Sequence, residues 1–549
     1  MNFLLQEVGP YSLSLIERFE FDKLNLYRFV YLPSSLAGKL EARHRALFES
    51  YVQAGGTLVV EGPTANDLAD PGIRFSFKNQ PLRSITSVQE PLTPPSLAES
   101  LLRMPFRTLG WKIESRETGL EVILEMEKMP VFFKRSLGRG KVFTLGFDFG
   151  LLLVGLQQGI PVKGAYRLEK LFGTQSRVIE PEDLVLKASL LDNAIPWADL
   201  FERFLFKVIT QDEPVPRWWY FPSPYTGAVI STHDDEAIGD DPRLEAMRQQ
   251  EKSEGIRGTL FVISDSKLHE RWSKNGTLGR LNREGTEIGL HWNRFKKPKF
   301  KIRSHKFGMH EEPLAQQRDY LQKELGQPIR INRTHYLALG RTYDEHFKSL
   351  SAQGIFFDST YGPNQGGRGY LFGTGYPYQG LTWEGSPTGV FELPFLTQEL
   401  WGGADLPFLK QLIRESDENF HQVVTMNFHP HYTILREQGR AVWLGSLGFA
   451  KERKQWIPTL GEFFDFFKAR NESSLRSQIK EGKGKIWVDA QRQGGVLSFP
   501  LHISGKRRLI QAAVDGGVVI PKEVLNGWCQ EVLIPVPQGA HEVEVVYGG

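Results

Sequence analysis

One cysteine, Cys529, stands in a chain of 549 residues. A lone cysteine excludes an intramolecular disulfide and any cysteine-rich metal site. Charge of one sign is also lacking. The 67 Lys and Arg against 64 Asp and Glu leave a net charge of +3, too mild to imply a nucleic-acid partner. Long hydrophobic runs are missing as well: the longest apolar stretch, Thr144 to Leu156, is broken by Asp148 and is too short to span a bilayer. Residues 1–19 carry Glu7, Glu17 and Arg18 and show no basic segment followed by an apolar core. No signal peptide is read there, and a cytoplasmic protein is expected. What remains, with 40% hydrophobic and 24% charged residues, is an ordinary globular composition. The length suggests roughly three or four domains.

Three regions follow along the chain, at 1–212, 213–480 and 481–549. In the first, Tyr27 to Leu32 reads as a strand stopped by Pro33, and a helical pattern runs from Leu36 to Ala54 before Gly55-Gly56. Thr57-Leu58-Val59-Val60 is the next strand, which completes a βαβ unit. This predicts a flavodoxin-like α/β domain, and the order of elements resembles the class I glutamine amidotransferase-like domains. Such enzymes need a cysteine nucleophile after a strand. Here Glu61 follows Val59-Val60 and the region has no cysteine, so a binding or assembly role is expected rather than glutaminase activity.

A linker from Pro214 to Pro224 leads into the second region, which repeatedly reads helix, glycine, apolar strand, polar residue. Strands are expected at 228–232, 258–263, 287–290, 329–332, 355–357, 389–393 and 423–428, and a helix at 311–325 ending at Gly326. Strands alternating with helices predict a central seven-stranded (β/α) barrel. The third region has short Val- and Ile-rich segments between Gly494-Gly495, Gly516-Gly517 and Pro535-Val536-Pro537. A small β-sandwich is the expected form.

The chemistry gathers at the strand ends. Ser231-Thr232-His233-Asp234-Asp235-Glu236 follows the apolar run Ala228-Val229-Ile230. Adjacent carboxylates past a buried strand are costly unless something uses them. One can bind a metal while its neighbour takes a proton from the metal's water. His291 follows Glu287-Ile288-Gly289-Leu290, and Arg333 and His335 follow the fourth strand. Asp358 ends Ile355-Phe356-Phe357, and His429 ends the last strand. In a parallel barrel these side chains collect on the carboxyl face.

In their order over residues 226–470, these motifs resemble the polysaccharide deacetylases of the NodB-homology type, carbohydrate esterase family four. The resemblance implies that Asp234 is the general base and that Asp235 and His291 are metal ligands. It implies that Arg333 pairs with the base and that Asp358 orients His429 as the general acid. A divalent metal, zinc by ligand type, is the implied cofactor, and cobalt, nickel or manganese could replace it. The chain departs from the family at three places. Glu236 stands for a glycine, Phe295 for the second histidine of the second motif, and His335 for a proline of the third. A divergent branch is implied. Because alternate strand residues share a face, His335 should point with Arg333 and supply the ligand lost at Phe295. His305 and His310 are its rivals, from the loop after His291.

That loop, Arg294 to Lys306, holds seven cationic residues and no acidic one. It reads first as a solvated loop and second as a guide for an acidic glycan. The function expected from all this is metal-dependent removal of an acyl group, acetyl first, from an amino sugar. Hydrolysis of another small amide or formyl group on the same barrel is the second reading. A non-catalytic carbohydrate-binding or assembly protein with a decayed site is the third.

Overall fold

Tight turns decide the first sheet. In the computed structural model its strands Phe29–Leu32, Thr57–Glu61 and Gly140–Leu145 lie parallel. Met129–Leu137, Glu121–Met126 and Ile85–Val88 then continue it antiparallel. Glu127 and Lys128 have φ of 51° and 62°, the left-handed pair that a two-residue hairpin needs, and such a hairpin joins only antiparallel neighbours. The flavodoxin-like expectation is corrected to a sheet parallel in one half only. Glu61 ends its central strand, and its carboxylate accepts from the backbone N–H of Ser34 and Phe149 at 2.8 Å each. Phe149 opens the helix Phe149–Gln157, so Glu61 serves a helix terminus. Burial pushes its carboxyl pKa up.

This sheet belongs to one of two compact units, Tyr11–Gln158 with Phe201–Gln211; the other is Met1–Pro10, Gly159–Leu200 and Asp212–Gly549. The structure describes residue 7 and residues 19–548 apart from 69–71, 90–94, 118–119, 160–178, 186–192, 236–241, 265–273, 275, 297–307, 310–312, 341, 343, 365–366, 400–404, 481 and 504–506. Among the described residues no helix is long and apolar enough to cross a membrane.

The larger unit is built on a nine-stranded sheet. Its spatial order is Tyr378–Leu381, Pro387–Glu392, Phe357–Asp358, Ile331–Thr334, Glu287–Trp292, Thr259–Val262, Ala228–Asp235, Val423–Asn427 and Thr397–Gln398. All pairs are parallel except the first. Every expected strand has its counterpart, and two more extend the row at its ends. Those end strands, one antiparallel and one of two residues, do not pair with each other among the described residues, so the row is an open sheet of nine strands where a seven-stranded barrel was expected. It nonetheless curls. Arg333 reaches Asp234 three strands away at 3.1 Å, whereas three flat strand spacings are about 14 Å.

Strand alternation sorts the side chains into two layers. Leu260, Val262, Ile288, Leu290 and Val390 face outward to helix residues such as Leu244, Leu321, Phe347 and Leu350. Ile230, Phe261, Ile331, Phe357 and Leu393 face the concave side, where Leu460, Phe463, Phe464 and Phe467 of the helix Leu460–Glu472 pack on them. Each such buried side chain contributes about 1.5–3 kcal/mol. The outer helix Leu314–Leu325 ends at Gly326, whose φ of 66° closes it in the left-handed conformation.

Ser474–Lys480 through Gly539–Gly548 form two antiparallel sheets, with Ile486, Leu497, Ile534 and Val543 buried among them. Arg217–Trp218, from the expected linker, pairs with Leu497 and Ser498 and is the edge strand of one sheet. Arg217 Nη2 also donates to both carboxylate oxygens of Glu531, at 2.7 Å each. The linker is thus part of the sandwich, and large sheet and sandwich fall in the same compact unit.

Candidate active site

On the strand Ala228–Asp235, alternation divides the first motif between the two faces. His233 takes the helix side, with Nδ1 at 3.0 Å from the Phe428 carbonyl and Nε2 at 2.8 Å from Glu251. Ser231 accepts from Trp443 Nε1 on that side. Thr232 and Asp234 take the concave side. Both receive Arg333, whose Nη1 donates to Thr232 Oγ1 at 2.7 Å and to Asp234 Oδ1 at 3.1 Å. The rest of the guanidinium is bound by Ser359, Nε to its carbonyl at 2.7 Å and Nη2 to its hydroxyl at 2.9 Å. The rings of Phe261 and Phe395 lie 4.5 and 4.7 Å from it. Arg333 is 0% and Asp234 3% exposed, which makes this a buried ion pair whose members depend on each other.

Asp234 Oδ2 accepts from Asn427 Nδ2 at 2.8 Å, and His429 Nε2 lies 4.0 Å away. Burial works against the charge of Asp234. The Arg333 guanidinium, the His291 and His429 imidazoles and the Asn427 amide outweigh it, and the pKa falls below the ordinary carboxylate value. Asp234 is therefore ionised throughout the neutral range. The 4.0 Å gap is too long for a hydrogen bond.

His429 is not oriented by Asp358. Its Nδ1 and its backbone N–H both lie 2.9 Å from Glu399 Oε1. A carboxylate only accepts, so Nδ1 carries a proton and Nε2 faces Asp234. Asp358 is elsewhere, and register explains it. Asp358 is the cross-strand partner of Asn332, the residue beside Arg333, and so points to the helix side. There Asp358 Oδ2 lies 2.5 Å from His346 Nε2, while Oδ1 accepts from Asn332 Nδ2 and Thr360 Oγ1 at 2.8 Å each. The expectation for Asp358 is corrected, and Glu399 holds the place assigned to it.

Asp235 ends its strand at 2% exposure. His291 Nδ1 lies 2.9 Å from the Arg333 carbonyl and His335 Nδ1 3.1 Å from Asn293 Oδ1. Carbonyl oxygens only accept, so each Nδ1 carries the proton and each Nε2 the lone pair, the tautomer a metal ligand needs. The two rings are 5.1 Å apart, centre to centre. His335 opens a tight turn in which Tyr336 and Leu337 have φ of 58° and 53°, and Tyr336 stacks on it at 3.9 Å. The backbone is strained where the imidazole is placed. The ligand atoms of Asp235, His291 and His335 are not a group gathered within 4.8 Å; among the described residues His346, Asp358 and Glu392 are. His305 and His310 lie outside the described residues, as does Glu236 and most of the basic loop. Its first member, Arg294, is buried, donating to the Leu339 carbonyl and pairing with Glu345, so that residue is no solvated guide.

Glu399 and Asn427 were missed in the sequence. Glu399 follows the two-residue strand Thr397–Gln398, too short for any periodicity to mark. Asn427 had a signal, since it lies two residues before His429 and shares its face.

No protein-family model matches the chain, and no curated protein matches it. Among solved structures it is similar to a peptidoglycan N-acetylglucosamine deacetylase at 14% identity, over 44% of this chain and 90% of that one, with a TM-score of 0.27. A CE4 family pseudoenzyme from Bacillus anthracis aligns at 12% identity, 45% and 67% coverage and a TM-score of 0.27. The peptidoglycan deacetylase PdaC from Bacillus subtilis aligns at 14% identity, 45% and 93% coverage and a TM-score of 0.23. The functional reading rests on the site's own geometry.

Proposed function

We propose that this chain is a metal-dependent hydrolase that removes an acyl group, acetyl first, from an amino sugar of a glycan. The observation that carries the reading is the concave-face constellation. A buried carboxylate, Asp234, is clamped by Arg333 and Asn427 and faces the Nε2 of His429, itself held by Glu399. Amide hydrolysis needs a proton acceptor for water and a proton donor for the departing amine. Asp234 is the acceptor, and its lowered pKa keeps it in the accepting form. His429 is the donor from Nε2, with Glu399 fixing the ring through Nδ1. Arg333 holds Asp234 in place.

By donor type the set suits a divalent metal, whose binding would draw the three ligand atoms closer together. Asp235, His291 and His335 would hold it, zinc by ligand type, through one carboxylate and two imidazoles whose Nδ1–H groups are already engaged. When bound, such an ion supplies an acidified water and polarises the carbonyl. Phe295, in place of a histidine, favours the third reading, a carbohydrate-binding or assembly protein that has lost turnover. Chelation decides between them. Acetate release from N-acetylated oligosaccharides that stops on metal removal and returns on re-addition supports the hydrolase. Glycan binding with no turnover at any metal supplied supports the other.

A further inference from the structure

On the side of the large sheet away from Asp234, one row of side chains breaks the apolar layer. Tyr378, Glu392, Asp358 and Asn332 are cross-strand partners in succession over four neighbouring strands. They therefore stand side by side on one face. His346, on the helix Glu345–Ala352, points onto the row and meets Asp358. The ligand atoms of His346, Asp358 and Glu392 all lie within 4.8 Å of one another. All three residues are 0% exposed, in a layer otherwise made by Leu290, Phe347, Leu350 and Val390.

Two carboxyl groups side by side in such a layer need a proton or a cation between them: burial and the neighbouring Asp358 push the Glu392 pKa up, and one imidazole supplies one positive charge at most. The polar atoms around them leave acceptors over. Asn332 gives its amide N–H to Asp358, yet its Oδ1 has no hydrogen-bond partner, and neither has the Tyr378 hydroxyl. Both residues are 1% exposed or less. Glu392 Oε2, on one of the three clustered residues, also has no hydrogen-bond donor facing it, and a buried carboxyl oxygen left so is what a cation satisfies.

We propose that His346, Asp358 and Glu392 form a buried structural site for a divalent cation, separate from the concave face and zinc by donor type. One nitrogen and two carboxylate oxygens suit zinc better than calcium, which takes oxygen alone. The ion joins three elements, the helix of His346 and the strands of Asp358 and Glu392. On binding, the ion displaces to solvent the proton between His346 Nε2 and Asp358 Oδ2, and the ring binds as a neutral imidazole protonated at Nδ1. Any proton shared by Asp358 and Glu392 is released with it.

The test compares wild type, Glu392→Gln and the double variant Asp235→Ala/His291→Ala, each as the full chain. Metal content is measured after dialysis into metal-free buffer, and melting is followed before and after chelation and with zinc restored. Glu392→Gln should carry about one equivalent less than wild type, and the double variant should retain that equivalent. Chelation should lower the melting temperature of wild type and of the double variant, zinc should restore it, and Glu392→Gln should not respond. Glutamine keeps the shape and hydrogen-bonding capacity of a protonated glutamate. If a shared proton is the only occupant, Glu392→Gln melts like wild type and the double variant holds no metal, which overturns the proposal. Should Glu392→Gln fail to fold, the double variant decides alone: about one equivalent supports the site and none refutes it.

Discussion

Asp234 and Arg333 are each other's reason for being charged inside the protein, and removing either has two separable effects. Asp234→Ala leaves the guanidinium of Arg333 buried without its carboxylate and should destabilise the fold by about 3–5 kcal/mol. Asp234→Asn keeps the shape, should retain most of that stability, and should lower turnover by about 100- to 10,000-fold because an amide accepts no proton. Chemical denaturation beside initial rates separates the two. The same carboxylate predicts a pH dependence. Its folded pKa lies below the unfolded value of about 3.9, so its charge stabilises the fold above that pH and the contribution disappears as the pH falls through the folded value. Between pH 5 and 3 wild type should lose more stability than Asp234→Asn, and parallel curves would contradict this. Glu399→Gln tests the assignment of His429. The His429 ring then loses the carboxylate that favours its protonated form, so the basic limb of kcat/KM should move to lower pH. An unmoved limb, with only the stability changed, would give Glu399 a structural role alone. At this scale the sequence was legible wherever a residue closes a well-marked strand, as for Asp234, His291, Arg333 and His429. It was misleading for Asp358, because Ile355-Phe356-Phe357 is apolar on both faces and gives no hint of which way the next side chain turns.

Elements carry the constellation by register. His291 and Arg333 are cross-strand partners, so both stand at one level of the concave face. Gly289, two residues before His291, leaves room for the Phe261 ring that lies against Arg333. A Cβ at Gly289 would meet ring carbons of Phe261 at 2.8 Å, with the Ile331 carbonyl behind at 3.3 Å. Gly289→Val should therefore cost about 1–3 kcal/mol in overpacking and displace the ring, lowering turnover without touching a reacting group. Wild-type stability and rate in this variant would show that the ring does not position Arg333. The seven expected strands were legible because each is a short apolar run bounded by glycine or a polar residue. Tyr378–Leu381 and Thr397–Gln398 were not: one alternates buried and half-buried positions around Gly380, the other has two residues. Closure of the sheet depends on those same edges and was illegible with them.

At the scale of the whole molecule the chain divides into two compact units. Its large sheet and its sandwich share one compact unit, and Arg217–Trp218 enters the sandwich as a strand. A Pro- and aromatic-rich segment reads as a linker, and only pairing with the distant Leu497 and Ser498 makes it otherwise. The smaller unit sets Glu61 at a helix terminus where an amidotransferase would need a nucleophile, and the chain's one cysteine, Cys529, is buried in the sandwich strand Cys529–Val536. The full chain should release no ammonia from glutamine, and detection of that release would overturn the expectation that this unit serves binding or structure. The proposed hydrolase is tested most directly by acetate release from an N-acetylated amino-sugar oligosaccharide, with zinc-loaded wild type and Asp234→Asn measured side by side. The account predicts release by wild type and a loss of about 100-fold or more in the variant, with its metal content unchanged. Equal rates for the two proteins, or no release by wild type at any metal supplied, would contradict it.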